Sequence, residues 1–598
     1  MQYLNSRNLR FLLHEMLDLS QLQKQQYFAE FEPDLADMAL DAARQLSDQY
    51  LFPHYRIMDQ EKAYYKDGRV YVKPAVGEGM RALGENGWLS ANWTYQQGGQ
   101  QMPLTILNAG LFTFYAANGN IASYGFLTAG AGNLIRNFGS QELQDMYLPK
   151  MITGEWQGTM ALTEPQAGSS LSDITTSATP LGDGSYAIKG QKIYISGGDH
   201  DSTENVIHLL LARHHDGPAG TKGVSLFVVP KFRLEAGELV DNHVTTAGIY
   251  GKMGQKGYVA AHLMYGEQGE TKGYLVGTER RGLHHMFQMM NEARIGTGLM
   301  AAGTASAAYY ASLQYANERP QGRHVDDKDV SKPQVLIIEH ADVRRMLLMQ
   351  KAVVEGSIAL LLQCSYYADL AEHADDDELR HNNHLLLELL TPIAKSYPSE
   401  YGTLATSNGM QILGGAGYCD DFPLEQYYRD IRVNSIYEGT TTIHGMDILG
   451  RKVLMEEGKA MQLLMEEVSA TIAKAQAFEQ AKGLAEELQS YLAGVSKTMD
   501  HLMGLAKTKG PRAFLADATI FLDYFSHLVL GWTWLQQSVA AEVGLQQAEG
   551  SEEIRFYRSK LQTAHYFYAY ELPKVKGWQR TLLDQRQVSL NTDPADLI

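Results

Sequence analysis

The sequence predicts a mainly α-helical protein with one small β domain set between helical regions. Three observations carry this. Residues 1 to about 155 hold apolar-periodic, Ala/Gly-rich runs of helical length. From Trp156 to about 265 the texture changes to short β-rich runs separated by turns. From about 283 the helical period returns and stays. The expected segments are an N-terminal helical domain with an N-terminal extension (1–157), a middle β domain (158–280), a four-helix bundle (281–455) and an additional helical domain (456–598).

In chain order, 35–40 opens an amphipathic helix, and Gly84 with Gly87 closes a later one. Stretches 106–117 and 121–138 read as tightly packed helices. Runs 185–195, 205–212 and 223–229 read as strands, with Gly182-Asp183-Gly184 as a hairpin turn. Long periodic segments over 283–318, 335–371 and 382–411, with a further helix after Thr442, supply a bundle. In that last helix Ile443, Met446, Leu449 and Val453 are expected to share the apolar face. The acidic run 375–378 is a loop or solvated face. No period marks a repeat array.

The 598 residues carry 51 Lys+Arg against 69 Asp+Glu, a net charge of −18. That argues against a general role on nucleic acid or anionic membranes. Two cysteines, Cys364 and Cys419, give neither a disulfide framework nor a metal pattern, and a reducing compartment is expected. Residues 1–10 lack a signal-peptide stretch, and Glu15 with Asp18 argue against a transit peptide, so the expected location is cytoplasmic. The apolar run 514–535 is interrupted by Asp517, Asp523 and His527 and reads as a buried helix, not a membrane span.

Four motifs carry chemistry. Leu162-Thr163-Glu164-Pro165-Gln166-Ala167-Gly168-Ser169-Ser170 is a bend offering hydroxyls and backbone amides to a heterocycle edge or phosphate. In Gly190-Gln191-Lys192-Ile193-Tyr194-Ile195-Ser196, strand alternation puts Tyr194 and Ser196 on one face, where a ring can be stacked and hydrogen-bonded. The helix holding Arg294 ends at Arg319-Pro320-Gln321-Gly322-Arg323, positive charge suited to a pyrophosphate. Gln411-Ile412-Leu413-Gly414-Gly415-Ala416-Gly417-Tyr418 is a glycine-rich helix end open to close ligand approach. To these is added Tyr437-Glu438-Gly439-Thr440-Thr441-Thr442, where one carboxylate precedes a helix start beside apolar residues. Desolvation there would make Glu438 a stronger base.

In this order, over about 40–455, these residues resemble the acyl-CoA dehydrogenase family. The resemblance implies a middle β barrel and FAD as cofactor, with no metal. It implies that Leu162, Thr163, Gly168 and Ser169 lie about the flavin ring, and Tyr194 and Ser196 against the isoalloxazine. Arg319 would bind the FAD pyrophosphate of a neighbouring subunit, with Gln411 and Gly415 beside it, and Thr440 and Thr442 would lie near the adenine or phosphates. Arg294 and Gly439 would line the acyl-CoA pocket. A homodimer or dimer of dimers is implied, with electron-transfer flavoprotein as acceptor and a place in fatty acid β-oxidation. The sequence departs from the family pattern where Tyr194 stands for the usual Trp, Ser196 for Thr, and Gln321-Gly322-Arg323 follows the helix-ending Arg. The length is similar to larger bacterial members acting on fatty acyl-CoA or 3-methylthiopropionyl-CoA, and the region after 456 to the very-long-chain enzymes.

The implied reaction is α,β-desaturation of an acyl-CoA thioester to the trans-2-enoyl-CoA. Glu438 takes the α proton and flavin N5 takes the β hydride. The thioester carbonyl is polarised by the Glu438 backbone amide and a ribityl hydroxyl. The competing readings are an acyl-CoA oxidase passing electrons to dioxygen and a non-enzymatic flavin-binding relative. Gly125, Ala129 and Gly130 could deepen an acyl pocket, though close helix packing explains them as well.

Overall fold

The computed structural model describes residues 2–327, 329–584 and 586–597, without the side chains of 287–291. It forms two compact units. One comprises Met1–Met38, Leu104–Phe112 and Arg294–Ile598, the other Ala39–Pro103 and Thr113–Ala293.

The second unit holds the β barrel. Its strands are β1 (Trp156–Ala161), β2 (Ser177–Pro180), β3 (Tyr186–Ser196), β4 (Asn205–His214), β5 (Val224–Pro230), β6 (Val244–Ile249), β7 (Ala260–Tyr265) and β8 (Thr271–Val276). The sheet order is β6-β7-β3-β8-β5-β4-β1, and β2 pairs with both β3 and β4, closing the ring. The glycines of the predicted hairpin turn both have positive φ (84° and 87°), and Leu181 N–H donates to Ser185 C=O at 2.9 Å. β4 carries apolar residues on both faces, at Val206, Ile207 and 209–212, because both faces are covered. Leu210 and Ala212 pack inside with Phe227, Ile188 and Leu263. Leu209 and Leu211 face the helix residues Ala131, Ile135 and Tyr147. Each buried Leu, Ile or Phe among them contributes about 1.5–3 kcal/mol.

Helix α1 (Leu104–Phe138) is interrupted at Asn118, whose backbone leaves the helical region (φ −163°, ψ 93°). The Asn118 Oδ1 accepts from Asn120 N–H at 3.1 Å and so caps the second half. This is why 106–117 and 121–138 read as two helices.

The first unit contains α2 (Gly282–Glu318, from Arg294 onward), α3 (Ala341–His373), α4 (Asp377–Leu413) and α5 (Thr441–Gly450), followed by the helices of the C-terminal region, among them α6 (Ala518–Gln547) and α7 (Ser551–Tyr566). Asp376 turns the acidic run into a helix start by accepting from Leu379 N–H at 2.7 Å. Among the described residues one helix, Ala341–His373, is long and apolar enough to cross a membrane, and 89% of its apolar window is buried.

The region after 456 packs on the bundle. Trp534 Nε1 donates to Ala352 C=O at 3.3 Å, and Gly356 makes room, since a Cβ there would stand 2.9 Å from that nitrogen. The N-terminal extension joins the same unit. Ser306 Oγ donates to Tyr3 C=O at 2.8 Å, and Arg7 pairs with Glu553 at 2.8 Å.

One predicted face is corrected. In α5 the buried residues are His444, Gly445, Ile448 and Leu449, while Met446 is exposed. Gly445 sets the rotation, because its Cα side lies against the backbone of Ala518, where a Cβ would meet carbonyl carbon at 2.8 Å.

Candidate active site

Glu438 lies between the short helix Arg432–Ser435 and α5, with φ 54°, and Gly439 follows at φ 88°. A non-glycine residue in the left-handed region costs roughly 1–2 kcal/mol, so the surroundings must hold it there. Two buried side chains do so. Lys395 of α4 donates its Nζ to Gly439 C=O at 2.7 Å. His444 of α5 bonds Glu438 C=O through Nε2 at 3.0 Å. A Cβ on Gly439 would approach that Nε2 to 2.9 Å, so glycine is required there on both grounds.

The Glu438 side chain is half-buried. Desolvation raises its pKa above the ordinary carboxylate value, while Arg294 and then Lys395 oppose the rise. Burial pushes the His444 imidazole down to about 3, helped by the two cations, so it is neutral. A neutral ring facing a carbonyl through Nε2 must carry the proton there, which leaves Nδ1 as its bare nitrogen. Arg294 is buried, pairs with Asp447 at 3.3 Å and has an unpartnered Nε. No protein acceptor among the described residues takes the Glu438 backbone N–H. A carboxylate of raised basicity beside a free amide donor can take a proton from carbon next to a carbonyl that the amide polarises.

The predicted residues of the β unit form a second constellation. Glu164 is buried in the bend and accepts from Lys192 Nζ (2.8 Å), Thr175 N (2.6 Å), Thr175 Oγ1 (2.9 Å), Thr176 N (3.0 Å) and Gln166 Nε2 (2.8 Å). Desolvation would raise its pKa, but Lys192 and these donors hold it down to about 2. Lys192 also donates to Leu162 C=O at 2.9 Å, and Ile193 N–H to Thr163 C=O at 2.9 Å. Leu162 and Thr163 are thus fixed while Gly168 and Ser169 stay exposed.

Strand β3 carries a bulge in which Ile193 and Tyr194 oppose the single residue His262 of β7. Before it Tyr186 and Ile188 point inward. After it Ile195 does. Tyr194 is left 58% exposed at φ 58°, its ring 4.3 Å from that of Tyr250, and Ser196 shares its outward face.

The remaining residues are spread through the first unit. Gln411 and exposed Gly415 lie at the end of α4, about 24 Å along the helix from Lys395. Arg319 is exposed at the end of α2 and forms no ion pair among the described residues, whereas Arg323 is spent on its own loop, donating to Lys332 and Val330 C=O. Thr440 precedes α5 without capping it, and Thr442 is exposed. Sequence reasoning missed Lys395, His444 and Asp447. The available signal was a lysine within the apolar run 385–399 and a histidine on the core side of α5.

Family models match in the expected order: acyl-CoA dehydrogenase N-terminal domain (33–155), middle domain (159–265) and C-terminal domain (280–454), then the acetyl-CoA dehydrogenase C-terminal-like domain (464–592). A 3-methylmercaptopropionyl-CoA dehydrogenase of Ruegeria pomeroyi is 36% identical over 568 residues, 94% of each chain. The chain belongs to the acyl-CoA dehydrogenase family. It is an enzyme, and FAD is the family cofactor. The broad-specificity linear acyl-CoA dehydrogenase FadE5 of Mycobacterium tuberculosis is 30% identical over 97% of each chain. In fold, this acyl-CoA dehydrogenase resembles Caenorhabditis elegans ACDH-11 solved with C11-CoA (TM-score 0.73, 20% identity, 98% of this chain and 91% of that one). It also resembles a Bacillus anthracis acyl-CoA dehydrogenase complexed with FAD (TM-score 0.71, 20% identity, 95% and 90%).

The residues fit FAD. The exposed Tyr194 offers an aromatic face. Open space lies beside Gly414 and Gly415, and the α5 N-terminus has no side-chain cap.

Proposed function

We propose that the enzyme converts an acyl-CoA thioester to the trans-2-enoyl-CoA, with Glu438 as the base. The observation that carries this is the half-buried Glu438 carboxylate, made more basic by desolvation and set next to its own unbonded backbone N–H. The carboxylate takes the α proton, and the Glu438 N–H donates to the thioester oxygen as enolate charge grows there. Arg294 and Lys395 offset part of the desolvation and so favour the ionised, proton-accepting form of Glu438. FAD, when bound, supplies the two-electron acceptor for the hydride leaving the β carbon. Leu162, Thr163, Gly168, Ser169, Tyr194 and Ser196 would hold the ring. Arg319, Gln411, Gly415, Thr440 and Thr442 would hold the phosphate and adenine end, Arg319 across a subunit boundary in a homodimer or dimer of dimers. Arg294 and Gly439 would border the thioester.

The names of the relatives support a short thioether-bearing or linear acyl chain, and one relative is a subunit of a caffeyl-CoA reductase–Etf complex, which supports an electron-transfer flavoprotein as acceptor. Cytoplasmic β-oxidation is the setting this reading favours. The test is anaerobic mixing with linear acyl-CoAs of graded length and with 3-methylthiopropionyl-CoA. Bleaching of the flavin absorbance with a product two mass units lighter is expected for at least one. No bleaching with any of them overturns the reading, and rapid peroxide release in air would favour an oxidase.

A further inference from the structure

The Glu438–Gly439 backbone is held from two directions by buried groups. Lys395 and His444 are both fully buried, on different helices, and each places a donor on one of two successive carbonyls. A buried lysine ammonium spent on a backbone carbonyl, with no carboxylate in hydrogen-bond range among the described residues, is an expensive arrangement for packing alone. Hydrophobic side chains would serve the fold as well.

We propose that Lys395 and His444 are positioning residues: together they fix the left-handed backbone at Glu438 and Gly439, so that carboxylate and free amide N–H reach the same thioester. This rests on the reading of Glu438 as the base. The two side chains have separable roles. Lys395 is a cation facing Glu438, together with Arg294, and is itself faced by Glu400. His444 is neutral and acts through its hydrogen bond alone.

The experiment compares FAD-loaded Lys395→Met, His444→Leu and His444→Gln with the wild type by anaerobic flavin reduction per bound flavin, across pH. Lys395→Met is expected to lower the limiting rate by ~10- to 100-fold, the scale of a small displacement of a reacting group. It should also move the acid limb of the pH profile upward, because a cation stabilising ionised Glu438 is gone. His444→Leu should lower the rate to a similar degree with the acid limb in place. His444→Gln, whose amide donates to the same carbonyl, should recover the rate to within about threefold. Wild-type rates and acid limbs in Lys395→Met and His444→Leu overturn the inference, even where melting temperature falls. Should Lys395→Met not fold, the histidine pair decides, and equal rates for Leu and Gln overturn it. Glu438→Gln separates the two readings. Full activity there removes the base itself, whereas an inactive Glu438→Gln beside fully active Lys395 and His444 variants removes only the positioning role.

Discussion

Lys192 and Glu164 form an ion pair at 2.8 Å with side chains only 0% and 1% exposed, which ties strand β3 to the bend that presents Thr163 and Ser169. The pair is satisfied on both sides, since the carboxylate accepts five hydrogen bonds and the ammonium also reaches Leu162 C=O.

Removing one partner leaves a buried, uncompensated charge. Lys192→Met is expected to destabilise the protein by about 3–5 kcal/mol and to loosen FAD retention. The pH dependence follows from the sign of the Glu164 shift. Its folded pKa, about 2, lies below the ordinary carboxylate value of 4.5. The stability it contributes is therefore fully present above pH 4.5 and lost as pH falls toward 2. In Lys192→Met that acid-sensitive contribution is gone, so the stability gap to the wild type should narrow as pH falls from 4.5 toward 2, which thermal melts between pH 2 and 6 would report.

Gly190 precedes the bulge with φ 150°, and a Cβ there would lie 2.5 Å from Thr176 Oγ1 and 2.7 Å from Thr176 Cα. Gly190→Ala is expected to destabilise by about 1–3 kcal/mol through overpacking. Denaturant titration measures it. Gly182→Ala, at a turn with open space around it, tests the strain of positive φ without the clash.

The two arginines past α2 should separate in FAD binding. Arg319 makes no ion pair among the described residues, while the Arg323 guanidinium is occupied by loop carbonyls. Arg319→Gln is expected to weaken FAD affinity by ~10-fold or more, the worth of a hydrogen bond to a charged group, and Arg323→Gln to leave it nearly unchanged. Calorimetric titration of FAD-stripped enzyme decides this.

Lys560 of α7 is fully buried and bonds Glu355 of α3 at 2.8 Å and Gln537 of α6 at 2.9 Å. Lys560→Met is expected to destabilise by about 1–3 kcal/mol, because buried Glu355 loses one hydrogen-bonded partner and keeps Lys351 as its cation. A chain ending at 456 would expose the face of α3 that Trp534 covers and should be insoluble. Solubility after expression, and the melting temperature of Lys560→Met, check the two statements.

Much of the fold was legible because local patterns and tertiary burial agree. The split between 106–117 and 121–138 marks a real break at Asn118, and the apolar residues on both faces of 206–212 reflect a strand covered on both sides. The face of α5 was misread because Gly445 contributes nothing to a hydrophobic pattern yet sets the closest approach, against Ala518. The helical regions did not reveal that residues 1–38 pack with the bundle, which depends on contacts such as Arg7–Glu553 between opposite ends of the chain. Glu438 stood out through its local motif. Lys395, 43 residues earlier, and His444, hidden in an apolar helix face, gain their meaning only from three-dimensional contact with its backbone.

The most direct measurement is a single-turnover experiment on Glu438→Gln, an isosteric change that removes the base and keeps the backbone amide. The expected result is full FAD occupancy with acyl-CoA-dependent flavin bleaching slowed by at least ~100-fold. Bleaching at the wild-type rate would contradict the assignment of proton abstraction to this side chain.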